Sequence, residues 1–208
     1  MSHNSNNQAD VVGAILAGGR SRRMGGGDKG LKSLGGQPMV AHVIERLAPQ
    51  VTTLIINTNS DPKAYTAFGL PVVADVLGEF AGPLAGVLTV MRWALANRPD
   101  ARWVFTAACD TPFLPLDVVQ TLSRAAMSAH FTYAGASSFS GVHYTTGLWA
   151  VDSADDIATS LNRGERKVRS WLERHRHINV FFPKDSNGCD PFFNVNTPED
   201  VIIAGRMI

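Results

Sequence analysis

The sequence predicts one α/β domain, a three-layer sandwich in which a mostly parallel, twisted sheet carries helices on both faces. Three observations lead there. Short apolar runs alternate with segments whose apolar residues recur at helical spacing. The strand-like runs are nearly continuously apolar, as in strands covered on both faces. At 208 residues and 45% hydrophobic content, the chain suits one domain with a real core. No internal repeat and no long linker divides it, so residues 11–208 are read as the domain. Residues 1–10, MSHNSNNQAD, are read as a polar, disordered leader.

The elements follow in order. Val11–Leu16 is apolar and runs into Ala17, Gly18 and Gly19, the pattern of a buried parallel strand. The stretch AGGRSRRMGGGDKG behind it is too polar and glycine-rich to be an element. Pro38 opens a helix with Met39, Val40, Val43, Ile44 and Leu47 on its apolar face. Leu54–Thr58 and Pro71–Asp75 are strands. Pro83 begins a helix carrying Leu84, Val87, Leu88, Met91 and Leu95. Arg102–Cys109 is a strand that stops at Asp110, and 115–127 is helical. Strand-helix alternation of this kind requires parallel strands with crossover helices.

The last third is less regular. Phe131–Ser137 and Thr146–Asp152 read as strands, with GVHY (141–144) as a turn region between them. Ser153 is expected to cap a helix, with Asp155 and Asp156 complementing its positive end. Asn162–Lys167 is a charged loop, and 177–183 a strand. Thr197, Pro198, Glu199 and Asp200 form a strong helix start.

Composition excludes several function classes. Nineteen basic residues against eighteen acidic ones give a formal charge of +1, which offers no global attraction for nucleic acid or membrane. The N-terminus lacks the basic start and apolar stretch of a secretory signal, and no apolar run approaches the ~20 residues of a membrane span. The two cysteines, Cys109 and Cys189, form no C-x-x-C pair and suggest neither zinc nor a disulfide framework. A soluble, cytoplasmic protein is expected.

The glycine-rich stretch fails two familiar tests. A Walker A loop needs Gly-Lys, which occurs nowhere in the chain. G-x-G-x-x-G matches formally at Gly25, Gly27 and Gly30, but begins nine residues after Leu16 instead of directly behind the strand. What remains has its own logic. Gly18 and Gly19 stand at the carboxyl edge of the first strand, where α/β sheets bind ligands, and let backbone N–H groups approach phosphate oxygens. Arg20, Arg22, Arg23 and Lys29 follow within ten residues. They face either solvent or an anion such as a triphosphate.

Polar residues end three strands at one edge: Asn57, Asp75 and Asp110. Asp110, in Ala-Ala-Cys-Asp-Thr-Pro, is placed to hold magnesium with substrate phosphates, and is equally good turn chemistry. Asn57 has the same second reading as a turn-former. Gly82-Pro83-Leu84-Ala85-Gly86 enters a helix with little side-chain bulk, which suits either ligand approach or helix packing.

The string LAGGRSRRMG followed by Asp28-Lys29 resembles the signature loop of the sugar-nucleotidyltransferase-like superfamily. In the form LAGG-x-S-x-RMG…DK-x-L it is similar to the molybdenum cofactor guanylyltransferase (MobA) branch. The G-P-L-x-G segment at 82–86 and N-V-N-T-P at 194–198 are shared too, so the resemblance runs from about Val12 to Arg206. The chain departs from the pattern at His143-Tyr144, where the family often has His-Pro.

The resemblance implies a Rossmann-like nucleotidyltransferase fold and a Mg2+-dependent enzyme. That enzyme would move GMP from GTP onto the terminal phosphate of molybdopterin, the molybdenum cofactor, and release pyrophosphate. It implies that Leu16, Ala17, Gly18, Gly19, Lys29, Asn57, Asp75 and Asp110 hold the nucleotide, and that Arg23, Lys29 and Asp110 are catalytic. Asp110 would hold the metal, with Asn196 as a second candidate oxygen. His143 falls on the acceptor side, as a surface or acceptor-contact residue. Cofactor-delivery and acceptor proteins would be partners; nucleic acid and membrane would not. The rival readings are a cytidylyltransferase for molybdopterin, a sugar-phosphate nucleotidyltransferase, and a non-catalytic GTP-binding regulator.

Overall fold

A computed structural model describes residues 10–18, 26–75, 82–128 and 130–208. The main sheet has the strands β1 (Val11–Leu16), β4 (Thr53–Asn57), β5 (Val72–Val73), β6 (Trp103–Ala108), β7 (Tyr133–Ser138), β8 (Gly141–Ala150) and β9 (His177–Phe181), with β-branched apolar runs in β1, β4 and β5. They lie in the order β5-β4-β1-β6-β8-β7-β9. The pairs β5–β4, β4–β1, β1–β6 and β7–β9 are parallel, while β8 runs antiparallel to both β6 and β7. A two-stranded ribbon, β2 (Ser33–Leu34) with β3 (Gln37–Pro38), stands apart and was not anticipated.

Alternate residues of the central strands feed two cores. On one face Val11, Ile15, Leu54, Ile56 and Phe105 pack against Val40, Val43 and Leu47 of α1 (Met39–Leu47) and against Val118, Val119 and Leu122 of α3 (Val118–Met127). On the other, Val12, Ala14, Ile55, Val104 and Trp149 meet α2 (Pro83–Asn97), α4 (Ala154–Asn162) and α5 (Val168–Leu172). This is the expected three-layer sandwich. α2 is apolar around most of its circumference because it lies under the others.

Four local expectations are corrected. GVHY is no turn: β8 begins at Gly141, and the hairpin loop is Phe139–Ser140, closed by Gly141 at φ 118°, a conformation glycine adopts freely. Ser153 does not cap α4 through its side chain; its hydroxyl donates to the Ala150 carbonyl at 2.6 Å instead. Asp155 and Asp156 do occupy the first turn of α4. The third helix begins at Val118, three residues later than Pro115 suggests. The strand read as 177–183 closes at Phe181. The last helix, α6 (Pro198–Ala204), carries the capping box that Thr197 and Asp200 foretell.

Candidate active site

Strand polarity places the site. The carboxyl ends of β5, β4, β1, β6, β7 and β9 share one edge of the sheet, and the antiparallel β8 starts there. Ligands of open parallel sheets bind at that edge.

Between β4 and β5, Asn57 donates to the Val73 carbonyl at 3.1 Å and to Asp75 Oδ1 at 2.8 Å. Asn59 donates to the other Asp75 oxygen at 3.0 Å, and its own Oδ1 accepts from the Asp75 N–H at 2.8 Å. The carboxylate plane of Asp75 is thereby fixed by two side-chain amides. Sequence reasoning found Asn57 and Asp75 but missed Asn59; the Asn-Thr-Asn spacing, which puts both amides on one side of an extended segment, was the available signal. Gly86 of α2 packs onto this group: a Cβ there would stand 2.7 Å from Asn57 Oδ1 and 3.2 Å from Leu16 Cδ2.

Beyond β1 the second cluster begins. Leu16 is half-buried, Ala17 buried and Gly18 exposed, with open space where a Gly18 side chain would be. Gly19 and Arg23, with Arg20 and Arg22, lie outside the described residues. The chain then returns to the sheet at Asp28, whose Oδ1 accepts from the Gly30 N–H at 3.1 Å. Gly30 is buried against the Tyr65 hydroxyl and Cys109, leaving 3.2 Å for a side chain. That tight turn delivers Lys29 onto the end of β6. Its ammonium contacts the Asp110 carboxylate and donates to Asn196 Oδ1 at 2.5 Å. The Asp110 carbonyl meanwhile accepts from the Val195 N–H at 2.9 Å, which registers the strap carrying Asn196.

Asp110 Oδ1 is buried and has no hydrogen-bond partner among the described residues, as has Asp28 Oδ2. Desolvation, then the neighbouring Asp110 carboxylate, pushes the Cys109 thiol far up, so it is inert. Burial, then the Asp28 carboxylate, raises the Tyr65 phenol likewise. The structure thus brings Lys29, Asp110 and Asn196 together, and Asn57 with Asp75. The two groups stand on either side of the carboxyl end of β1.

The oxygens of Asp110 and Asn196 are hard donors, suited to a magnesium ion that takes one or two protein ligands and completes its shell with phosphate and water. A buried carboxylate oxygen lacking a partner fits that role. Among the described residues no three His, Cys, Asp or Glu side chains cluster as a metal cage, which such an ion does not need. Also among the described residues, no helix is long and apolar enough to cross a membrane.

Residues 13–178 match the family described as the MobA-like NTP transferase domain. The chain is 45% identical over 201 residues to the molybdenum cofactor guanylyltransferase of Mesorhizobium japonicum, covering 96% of each chain. It is 44% identical to that of Rhodopseudomonas palustris strain BisB5, covering 93% of this chain and 91% of the relative. Among solved structures it superposes on molybdopterin-guanine dinucleotide biosynthesis protein A from Archaeoglobus fulgidus with a TM-score of 0.73, at 24% identity and over 94% and 97% of the two chains. It matches the CMP:2-keto-3-deoxy-manno-octonic acid synthetase complexed with CTP at 0.74, with 14% identity over 96% and 98%. At those identities the two structures establish the fold.

Proposed function

The chain belongs to the MobA-like NTP transferase family, and from that premise we propose that it transfers GMP from GTP to the terminal phosphate of molybdopterin, releasing pyrophosphate. The observation that supports it most directly is the Lys29–Asp110–Asn196 cluster: a cation and unsatisfied oxygens at the same sheet edge as a rigid carboxylate suited to a base.

The donor half lies over β4, β5 and β1. Asp75, its carboxylate held by Asn57 and Asn59, accepts hydrogen bonds from the N–H groups of the guanine edge, while Gly86 keeps α2 clear of the base. Leu16, Ala17 and Gly18, with Gly19, pass beneath the triphosphate, where Gly18 opens space for backbone contact. Arg23 and Lys29 neutralise phosphate charge.

The acceptor's terminal phosphate oxygen attacks the α-phosphorus of GTP; the new P–O bond forms as the bond from that phosphorus to the α,β-bridging oxygen breaks, and pyrophosphate leaves with that electron pair. A phosphate monoester is ionised at neutral pH, so no side chain has to remove a proton. The protein's work is positioning and charge neutralisation. Asp110 and Asn196 would hold Mg2+, which when bound neutralises phosphate oxygens and orients them. Lys29, whose ammonium contacts the Asp110 carboxylate and donates to Asn196 Oδ1, supplies positive charge to the departing pyrophosphate.

The test is transfer of α-labelled GTP or CTP to molybdopterin by purified protein, with Mg2+ or with EDTA. Mg2+-dependent label from GTP alone is expected. Label from CTP would redirect the donor assignment, and no label from either would overturn the acceptor.

A further inference from the structure

A second polar cluster occupies the far side of the same sheet edge, beyond Asp110 from the base-binding group. It joins the β7–β8 hairpin to the strap leading to Asn196. Ser138 donates its hydroxyl proton to Asp190 Oδ2 at 2.7 Å. His143 Nε2 lies 2.9 Å from the same Ser138 oxygen, and Ser140 Oγ also 2.9 Å from it. The Ser140 N–H points at Asp190 Oδ2 at 3.3 Å, and Asp190 Oδ1 accepts from the Phe192 N–H at 2.9 Å. The His143 ring packs on Phe192 with centroids 4.7 Å apart.

Counting protons fixes the imidazole. An ionised carboxylate only accepts, so the single Ser138 hydroxyl proton must lie toward Asp190; without it two oxygens would face each other at 2.7 Å. The Ser138 oxygen is then an acceptor toward His143, and Nε2 must carry the proton. In the neutral ring the lone pair is left on Nδ1, which has no hydrogen-bond partner among the described residues. Burial depresses the imidazole pKa, with Asp190 as the opposing charge, so the ring keeps that lone pair at neutral pH. The arrangement differs from a hydrolytic triad, because the carboxylate orients the serine and not the histidine.

We propose that His143 Nδ1, held in the Nε2–H tautomer by Ser138 and Asp190, is a hydrogen-bond acceptor for a ring N–H of the pterin-bearing acceptor substrate. Its position carries the assignment: the half-exposed His143 ring stands on Phe192, and the short strap from Phe192 leads to Asn196 beside Asp110. A substrate whose phosphate reaches Asp110 would lay its heterocycle along that strap. This inference rests on the function proposed above.

Two substitutions separate the ring's nitrogens. His143→Gln keeps a donor near Nε2 and loses the acceptor near Nδ1; His143→Asn keeps an oxygen near Nδ1 and loses the Ser138 bond. We expect His143→Gln to raise the KM for molybdopterin about tenfold, as one lost hydrogen bond allows, with the KM for GTP within about twofold. His143→Asn should recover part of that loss. On wild-type protein, a nitrogen-15 proton-coupled NMR spectrum should show the Nε2–H tautomer and a shift of the Nδ1 signal when molybdopterin is added. Unchanged molybdopterin KM in His143→Gln, parallel rises in both KM values, or an Nδ1 signal indifferent to molybdopterin would overturn the role of His143 while leaving the reaction standing. Failure of wild-type protein to label molybdopterin would overturn both.

Discussion

Lys29 and Asp110 are 81 residues apart in sequence, yet the ammonium of one sits on the carboxylate of the other and also donates to Asn196 at 2.5 Å. Both side chains are largely shielded from solvent. A partly buried pair of this kind owes its position to the backbone that delivers it: the Asp28–Gly30 turn on one side, and the end of β6 on the other. The cluster sets a cation against oxygens of the kind magnesium prefers.

Substitution should expose that shared role. Asp110→Asn and Lys29→Met should each cut turnover by at least ~10²-fold, the scale of one electrostatic contribution at a developing charge. The double variant should fall well short of the product of the two losses, because the residues act as a unit. Steady-state kcat for the two single variants and the double variant provides the check; strictly multiplicative losses would contradict a shared function.

The Gly86→Ala variant tests the half proposed to bind the base. In an exposed helix interior this change stabilises by up to ~1 kcal/mol. Here the new methyl would meet Asn57 Oδ1 at 2.7 Å, and Asn57 cannot swing aside without losing its bonds to Val73 and Asp75. Overpacking costs typically about 1–3 kcal/mol. The GTP dissociation constant should rise by roughly tenfold or more, readable by calorimetric titration, as the Asp75 carboxylate loses its orientation.

How far the sequence foretold this site depends on what kind of signal each residue emits. Asn57, Asp75 and Asp110 were legible because each ends an apolar run, and in a parallel sheet the run's polarity dictates which edge the polar residue joins. Lys29 was legible as part of a motif. The pairing of Lys29 with Asp110 was not, because contact across 81 residues depends on the turn at Gly30 packing against Tyr65 and Cys109. The first half of β8, residues 141–145, its antiparallel direction and the true hairpin at Phe139–Ser140 were missed for a related reason. His143, Tyr144 and Thr145 lack the apolar alternation of a half-buried strand, and pairing across to β7 and its register shift decides their structure. The ribbon of β2 and β3 and the five-residue α5 are too short to leave a period.

A stability prediction follows from Tyr133, which is fully buried and packs on Trp149 with centroids 4.4 Å apart. Its ring lies flat across two glycines of adjacent strands. A Cβ at Gly135 would come within 2.4 Å of the hydroxyl, and one at Gly147 within 2.4 Å of the ring. The ring has no room to withdraw into a filled core. Gly135→Ala should therefore destabilise by about 3 kcal/mol, at the upper end of overpacking, with a clear drop in the urea midpoint. The paired variant Gly135→Ala/Tyr133→Leu should recover part of it.

Asp190 should make stability fall in acid. Burial alone would raise its carboxyl, but the Phe192 N–H and the Ser138 and Ser140 donors outweigh it and hold the pKa below the usual carboxylate range. A group whose folded pKa is depressed binds its proton more readily in the unfolded chain. Its stabilising contribution is thus complete above the unfolded value, near ~4, and is lost as pH falls through the folded value. Asp190→Asn keeps an oxygen for Phe192 but cannot ionise. It should be less stable than the parent at pH 7 and should flatten the parent's decline below about pH 4. Urea midpoints measured from pH 7 down to pH 3 for both proteins decide it. A decline of equal slope in the two would assign the acid sensitivity to other carboxylates and leave the Ser138–Asp190 bond without energetic weight.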